Sequence, residues 1–180
     1  MRGKTLASVG KGDAGAHLRP TTDRVRESIF NLLVNGGYGD PITDAMVLDL
    51  FAGTGALGLE ALSRGAQHVT FVDDGIKARG LIRENIDLTG AHGDTAVFRR
   101  DATKLGERLG APFNLVFLDP PYGKGLGEAA LSSAMAGGWL ADDALIVWED
   151  NTAPTMPKGL KQLDQRKYGD TVVTIAEVDA

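Results

Sequence analysis

The sequence predicts an α/β fold: a mostly parallel sheet, helices on both of its faces, and an antiparallel hairpin at its C-terminal edge. Three observations carry that expectation. Short apolar runs alternate with amphipathic segments from Met46 to Trp148, the wiring of successive βαβ units. A glycine turn, Gly53-Thr54-Gly55-Ala56-Leu57-Gly58, joins the first apolar run to the segment after it. Near the end of the chain, Leu160–Lys167 and Thr171–Val178 flank Tyr168-Gly169-Asp170, a hairpin signal.

Taken in order, residues 1–20 are rich in glycine and polar groups, and Lys11-Gly12-Asp13-Ala14-Gly15 reads as a loop. A helix follows. Thr21 or Thr22 can cap it, Asp23 lies in its first turn, and Val25, Ile29, Leu32 and Leu33 share one face before Asn35-Gly36-Gly37 ends it. Met46–Phe51 is short, apolar and bounded by loops, as a buried strand should be. Helix 55–64, strand His68–Val72, helix Gly75–Leu88 and strand Ala96–Arg99 continue the alternation. A short polar segment around 103–109 then leads to strand Asn114–Leu118, helix 126–136 and strand Leu145–Trp148.

Composition narrows the function classes. The 180 residues are 43% hydrophobic and 24% charged, too apolar for a disordered chain and right for one domain. Without cysteine there is no disulfide framework, thiolate metal site or thiol nucleophile. His17, His68 and His92 show no ligand spacing, so no metal is expected. No apolar run approaches the length of a membrane span, and no leader is recognised, which predicts a cytoplasmic protein. The net charge of −5 argues against a nucleic-acid partner, but the balance is uneven. Residues 1–30 hold six basic residues against three acids, while the other 150 hold 13 against 21.

The glycine turn carries the first chemistry. Gly53 and Gly55 allow a tight turn with bare backbone for a ligand, and Gly58 lets the following helix pack closely on the sheet. Asp73, 20 residues past Gly53 at the end of the next strand, can accept two ribose hydroxyls. Asp49, four residues before Gly53, would repel a pyrophosphate and suits a cationic ligand end instead. The amino-acid and sulfonium portion of S-adenosylmethionine is such an end. Asp49 can equally cap backbone amides. Asp101, after the next strand, can reach an adenine amino group, and the same position reads as a helix N-cap. There is no G-x-x-x-x-G-K-[ST] string and hence no P-loop.

The second motif is Asp119-Pro120-Pro121-Tyr122, 66 residues past Gly53 and at the end of the fourth strand. Two prolines remove two backbone donors and halt the strand, and Asp119 is held extended by its proline neighbour. One carboxylate, free carbonyls and an aromatic face are thereby fixed at the edge where open α/β sheets bind ligands. That set suits alkylation of an exocyclic base amine, whose lone pair is delocalised into its ring. Accepting its protons at Asp119 and a proline carbonyl favours the pyramidal geometry that frees the lone pair, while Tyr122 stacks on the extruded base.

These residues resemble class I S-adenosylmethionine-dependent methyltransferases with a D-P-P-Y loop, and more closely the bacterial 16S ribosomal RNA guanine-N2 methyltransferases. The resemblance runs from Arg19 through nearly the whole chain. It rests on Arg19–Asn31 (RPTTDRVRESIFN), on Asp49–Gly65 (DLFAGTGALGLEALSRG) and on Asp119–Tyr122. It implies a Rossmann-like domain over residues 21–180 with a seven-stranded sheet, preceded by a basic arm at 1–20 that is a shortened hairpin. Asp49, Gly53 and Gly55 would hold S-adenosylmethionine, with Phe51, Ala52 and Thr54 beside them. Asp73 would bind ribose, although Asp74 is adjacent, and Asp101 with Ala102 would meet the adenine. Asp119, Pro120, Pro121 and Tyr122 would face the guanine, and Arg19, Thr22, Arg24 and Lys124 would touch RNA. Such an enzyme is expected to act as a monomer on 16S rRNA within an assembling or assembled 30S particle, with no membrane and no metal. DNA adenine-N6 methylation uses the same loop chemistry, but the chain lacks an evident module for reading DNA sequence. A non-catalytic adenosine-binding assembly factor is the alternative from another class, and an intact D-P-P-Y loop argues against it.

Overall fold

A computed structural model describes residues 22–179. The basic arm, Thr21 and Arg19 lie outside the described residues. The described residues open with α1 (Asp23–Asn35), capped by Thr22, whose hydroxyl oxygen accepts the Val25 amide at 3.2 Å. Asp23 in its first turn complements the helix dipole. Its apolar face, Val25, Ile29, Phe30, Leu32 and Leu33, is buried, and the Gly36 amide closes the last turn on the Leu32 carbonyl.

Seven strands follow: β1 (Met46–Leu50), β2 (His68–Val72), β3 (Thr95–Phe98), β4 (Phe113–Leu118), β5 (Leu140–Asp150), β6 (Leu160–Tyr168) and β7 (Thr171–Val178). Between them lie α2 (Ala56–Ser63), α3 (Ile76–Thr89) and α4 (Leu126–Ala136). They form one sheet in the order β3-β2-β1-β4-β5-β7-β6. β1 to β5 run parallel, and β7 pairs antiparallel with both β5 and β6. This is the predicted architecture, C-terminal hairpin included.

The apolar residues sort by face. Ile29, Phe30 and Leu33 of α1, Leu57 of α2 and Ile82 of α3 pack with Val47, Phe71, Leu115 and Ile175 on one side of the sheet. Ala130, Leu131 and Ala134 of α4, with Leu105 and Trp139, cover Leu48, Val116, Ile146 and Ala176 on the other. The chain winds outward from β1 to β3, then returns to the far side of β1 as β4. The order therefore reverses between β1 and β4, the switch point where sheets of this kind open a crevice at their carboxyl ends.

Several boundaries differ from the sequence reading. β5 begins at Leu140, not Leu145, because Phe113 pairs with Leu140 before the register shifts between Phe113 and Leu115. The exposed Asp142 and Asp143 disguise that half of the strand as a turn. α2 starts at Ala56, with Gly55 as a left-handed cap at φ 78°. Phe51 is not part of β1. It turns out of the strand at φ 54°, a conformation costly for a residue with a Cβ and concentrated at functional sites.

Candidate active site

β1, β2 and β4 deliver their carboxyl ends to one place. Leu50 pairs with Val72 on one side and with Leu118 on the other. Asp73 and Asp119 thus begin the loops flanking the turn after β1. That turn is drawn tight by main-chain bonds, Ala52 to the Val72 carbonyl at 3.2 Å and Gly55 to the Ala52 carbonyl at 2.9 Å. Gly53 and Gly55 take φ of 60° and 78°, where glycine is the cheap choice. At Gly58, a Cβ would lie 2.7 Å from both Phe71 and Val69 and 3.1 Å from the Asp49 carboxylate. Only glycine lets α2 sit this close to the sheet.

Asp49 is 3% exposed, on the α2 side of β1, and its Oδ2 accepts the Gly58 amide at 3.1 Å. Both sequence readings of Asp49 are compatible with this, since a carboxylate has lone pairs beyond the one Gly58 uses. Burial pushes the Asp49 carboxyl well above the usual aspartate range. The Gly58 bond pulls it partly back, and the charges of Asp119 and Asp73 push it up again. Three carboxylates therefore share one electrostatic neighbourhood. A cation placed among them relieves the repulsion, whereas an anion adds to it.

Asp73 is half-buried and tied at both oxygens. Oδ2 accepts the Gly53 amide at 3.1 Å, and Oδ1 accepts the Gly75 amide at 2.9 Å. Burial raises its pKa, these two amides lower it, Asp74 raises it and Arg79 lowers it. Asp74 itself is exposed. Two residues that sequence reasoning missed complete this frame. Asn85, fully buried on α3, donates from Nδ2 to the Thr54 carbonyl at 2.8 Å, and Arg79 donates from Nη1 to the Asp73 carbonyl at 3.3 Å. The available signal was a polar residue on the apolar face of α3, beside Ala78, Ile82 and Ile86.

Asp101 does not cap a helix, which corrects one sequence reading. Its Oδ1 accepts the Thr103 amide at 2.9 Å and the Thr103 hydroxyl at 2.6 Å, closing a local turn where no helix follows. Those bonds hold its carboxyl below the usual range. The side chain is exposed, and the neighbouring Ala102 is buried.

The Asp119–Tyr122 turn sits at the switch point. The Asp119 amide lies 3.5 Å from the Leu50 carbonyl, continuing the β1–β4 ladder by one step. Pro120 is buried, Asp119, Pro121 and Tyr122 are half-buried, and Lys124 is exposed. Gly123 and Gly125, at φ 76° and 65°, turn the chain into α4. The first turn of α4 then lies flat on Trp148, where a Cβ at Gly127 would meet the indole at 2.5 Å. Trp148, fully buried, is therefore a floor under this loop. On α1, Arg24 is exposed, and Arg26 pairs with Asp23 at 2.9 Å. Among the described residues no group of three or more acids or histidines could hold a metal ion, and no helix is long and apolar enough to cross a membrane.

A glycine loop after β1, an acid closing β2 and an Asp-Pro-Pro-Tyr turn at the switch point define a class I methyltransferase. Comparison with known proteins is specific about which kind. The family described as conserved hypothetical protein 95 matches residues 1–177, and the chain belongs to it. Ribosomal RNA small subunit methyltransferase D of Escherichia coli K12 is 44% identical over 144 residues, covering 78% of this chain and 69% of that protein. The Bacillus subtilis protein YlbH is 36% identical over 183 residues, 97% of this chain and 93% of its own. The solved structure of Escherichia coli yhhF superposes with a TM-score of 0.81 at 37% identity, covering 99% of this chain and 94% of that one.

Proposed function

We propose that this protein transfers a methyl group from S-adenosylmethionine to the exocyclic N2 amine of a guanine in 16S rRNA. The observation that carries the reading is the Asp119-Pro120-Pro121-Tyr122 turn at the end of β4, beside β1, with Asp119 within electrostatic reach of the buried Asp49. The relative named ribosomal RNA small subunit methyltransferase D supports an RNA substrate.

The residues present fit the cofactor on two grounds. A Cβ at Gly53 would meet nothing closer than the Phe51 carbonyl at 4.0 Å, so its backbone is open to a ligand, and Asp119 and Asp73 both add negative potential at the buried Asp49, which favours a cation. Asp49 faces the positive end, Asp73 the ribose, and Asp101 with Ala102 the adenine. When bound, S-adenosylmethionine supplies an electrophilic methyl group on a sulfonium. The chain supplies position and electrostatics. Asp119 and the Pro120 carbonyl accept hydrogen bonds from the two N–H groups of the base amine and turn its lone pair toward the cofactor side of the crevice. Tyr122 stacks on the base and keeps it out of its helix. Arg19, Thr22, Arg24 and Lys124 hold the surrounding RNA. The protein acts in the cytoplasm as a monomer, on an assembling or assembled 30S particle.

The test is transfer of labelled methyl to 30S particles lacking the modification, followed by nucleoside analysis. Asp119→Ala should bind cofactor and lose transfer, and the wild-type product should be N2-methylguanosine. Wild-type-like transfer by the variant would remove Asp119 from its role. Label on adenine N6 would replace the substrate.

A further inference from the structure

The connection from β3 back to β4 crosses the α4 face without a helix, and it carries a charge arrangement that the proposed reaction does not use. Its platform is Trp139, fully buried, stacked on Phe113 at 6.0 Å and 18° and met edge-on by Phe98 at 6.3 Å and 82°. The indole Nε1 donates to the Gly106 carbonyl at 2.9 Å, so the ring is fixed. Two guanidinium groups lie on this platform. Arg100 is 5.5 Å from the Trp139 ring and 5.2 Å from Phe98. Arg108 is 5.3 Å from Trp139 and 4.5 Å from Phe113.

Each is oriented by one main-chain carbonyl. Arg100 Nη1 donates to Leu105 at 2.9 Å, and Arg108 Nε donates to Ala111 at 3.1 Å. Neither is in an ion pair with a carboxylate among the described residues. The two are close enough that Arg100, after burial, acidifies the Arg108 guanidinium. The adjacent acid, Asp101, has its carboxylate engaged with Thr103. Arg99 and Lys104 are exposed on the same connection, as is Glu107. Two like charges are thus preorganised over one aromatic ring, and among the described residues each has spent one N–H donor on a hydrogen bond.

We propose that Arg100 and Arg108 form a fork for a phosphodiester of the substrate RNA, a binding point on the α4 face additional to the basic arm. Arginine suits this role because its planar donors match phosphate oxygens in pairs, and stacking on an aromatic ring limits the rotamer freedom lost on binding. The occupant is an extended backbone, since Arg100 is exposed and Arg108 half-buried beside the exposed Arg99 and Lys104. The assignment rests on the reading of RNA as substrate. It also explains how a protein of net charge −5 engages RNA with its body as well as its N-terminal residues.

The test is the salt dependence of binding to a 16S rRNA fragment and to 30S particles, with inorganic phosphate as competitor. Replacing both residues, Arg100→Gln with Arg108→Gln, should leave cofactor affinity and kcat at saturating substrate unchanged. It should raise KM and reduce the slope of log K against log salt by about 0.7–0.9 for each phosphate that is no longer neutralised. The charge-keeping pair, Arg100→Lys with Arg108→Lys, should retain most of that slope. Wild-type slope and KM in the folded glutamine variant would overturn the proposal, as would equal losses in both pairs accompanied by equal falls in Tm, which mark a structural staple. Competition by inorganic phosphate in wild type but not in the glutamine variant supports the site. Competition unchanged by the variant counts against it. If wild type binds RNA through the pair yet methylates no rRNA, the proposed function fails and the fork stands.

Discussion

Asp49 accepts the amide of Gly58 at 3.1 Å, so an acid inside the central strand holds the first turn of the helix after it. The bond does not offset the loss of water, because burial still raises the carboxyl well above its ordinary range. A raised pKa means that the folded protein keeps a proton where the unfolded chain has lost it. This group's contribution to stability is full below the unfolded pKa and disappears as pH rises through the folded one. Asp49→Asn should therefore be at least as stable as wild type near neutrality, with an advantage that grows from acid to neutral pH. Its affinity for S-adenosylmethionine should fall by about tenfold or more, since the variant has no charge to assist the hydrogen bond to the cofactor's positive end. Thermal denaturation across pH and calorimetric titration of the cofactor check both halves. A variant that binds normally would return Asp49 to a purely structural role.

Asp73 and Asp74 are adjacent in sequence and unlike in place. Asp73 bridges Gly53 and Gly75 while Asp74 is exposed. Asp73→Ala should release the glycine loop and abolish measurable cofactor binding, and Asp74→Ala should change the dissociation constant less than about threefold, as surface substitutions usually do. Equal losses in the two variants would mean that the ribose acid is not decided by this geometry.

Gly58→Ala tests the packing beneath the loop. The added methyl would meet Phe71 and Val69 at 2.7 Å, and neither neighbour can give way inside a close-packed layer. We expect a destabilisation of about 1–3 kcal/mol, as for other overpacked cores, together with weaker cofactor binding as α2 moves off Asp49. Urea denaturation gives the first number. An unchanged midpoint would show that the layer is looser than it looks.

The parallel core and the closing hairpin were legible in the sequence because burial on two faces leaves uninterrupted apolar runs, such as Val47-Leu48 and Val116-Phe117-Leu118. The candidate site could be put forward from sequence where its residues form local strings, at Gly53–Gly58 and at Asp119–Tyr122. What escaped depends on partners distant along the chain. Asn85 earns its buried place from the Thr54 carbonyl 31 residues away. The first half of β5 looks polar because Asp142 and Asp143 face solvent, and its pairing becomes visible only when Phe113 lies beside Leu140. Asp101 resembled a helix cap because an aspartate followed by Ala-Thr satisfies both a cap and a tight turn, and only the missing helix separates the two. The arginines over Trp139 were invisible for a similar reason, since their platform is assembled from three separated segments.

Tyr122 separates base stacking from cofactor binding. It is half-buried at the rim of the crevice, three residues past Asp119 and ahead of the glycines that lead into α4. If its ring receives the base, Tyr122→Ala should raise KM for rRNA, because stacking on an aromatic contributes about 1–3 kcal/mol per base. The dissociation constant for S-adenosylmethionine should hardly move. Tyr122→Phe keeps the aromatic face and should recover most of the affinity, so a large defect in both variants would shift the weight from the ring to the hydroxyl. Steady-state kinetics on 30S particles supply the KM, and cofactor titration supplies the control. A fall in cofactor affinity matching the rise in KM would place Tyr122 in the packing of the loop and leave the base without its platform.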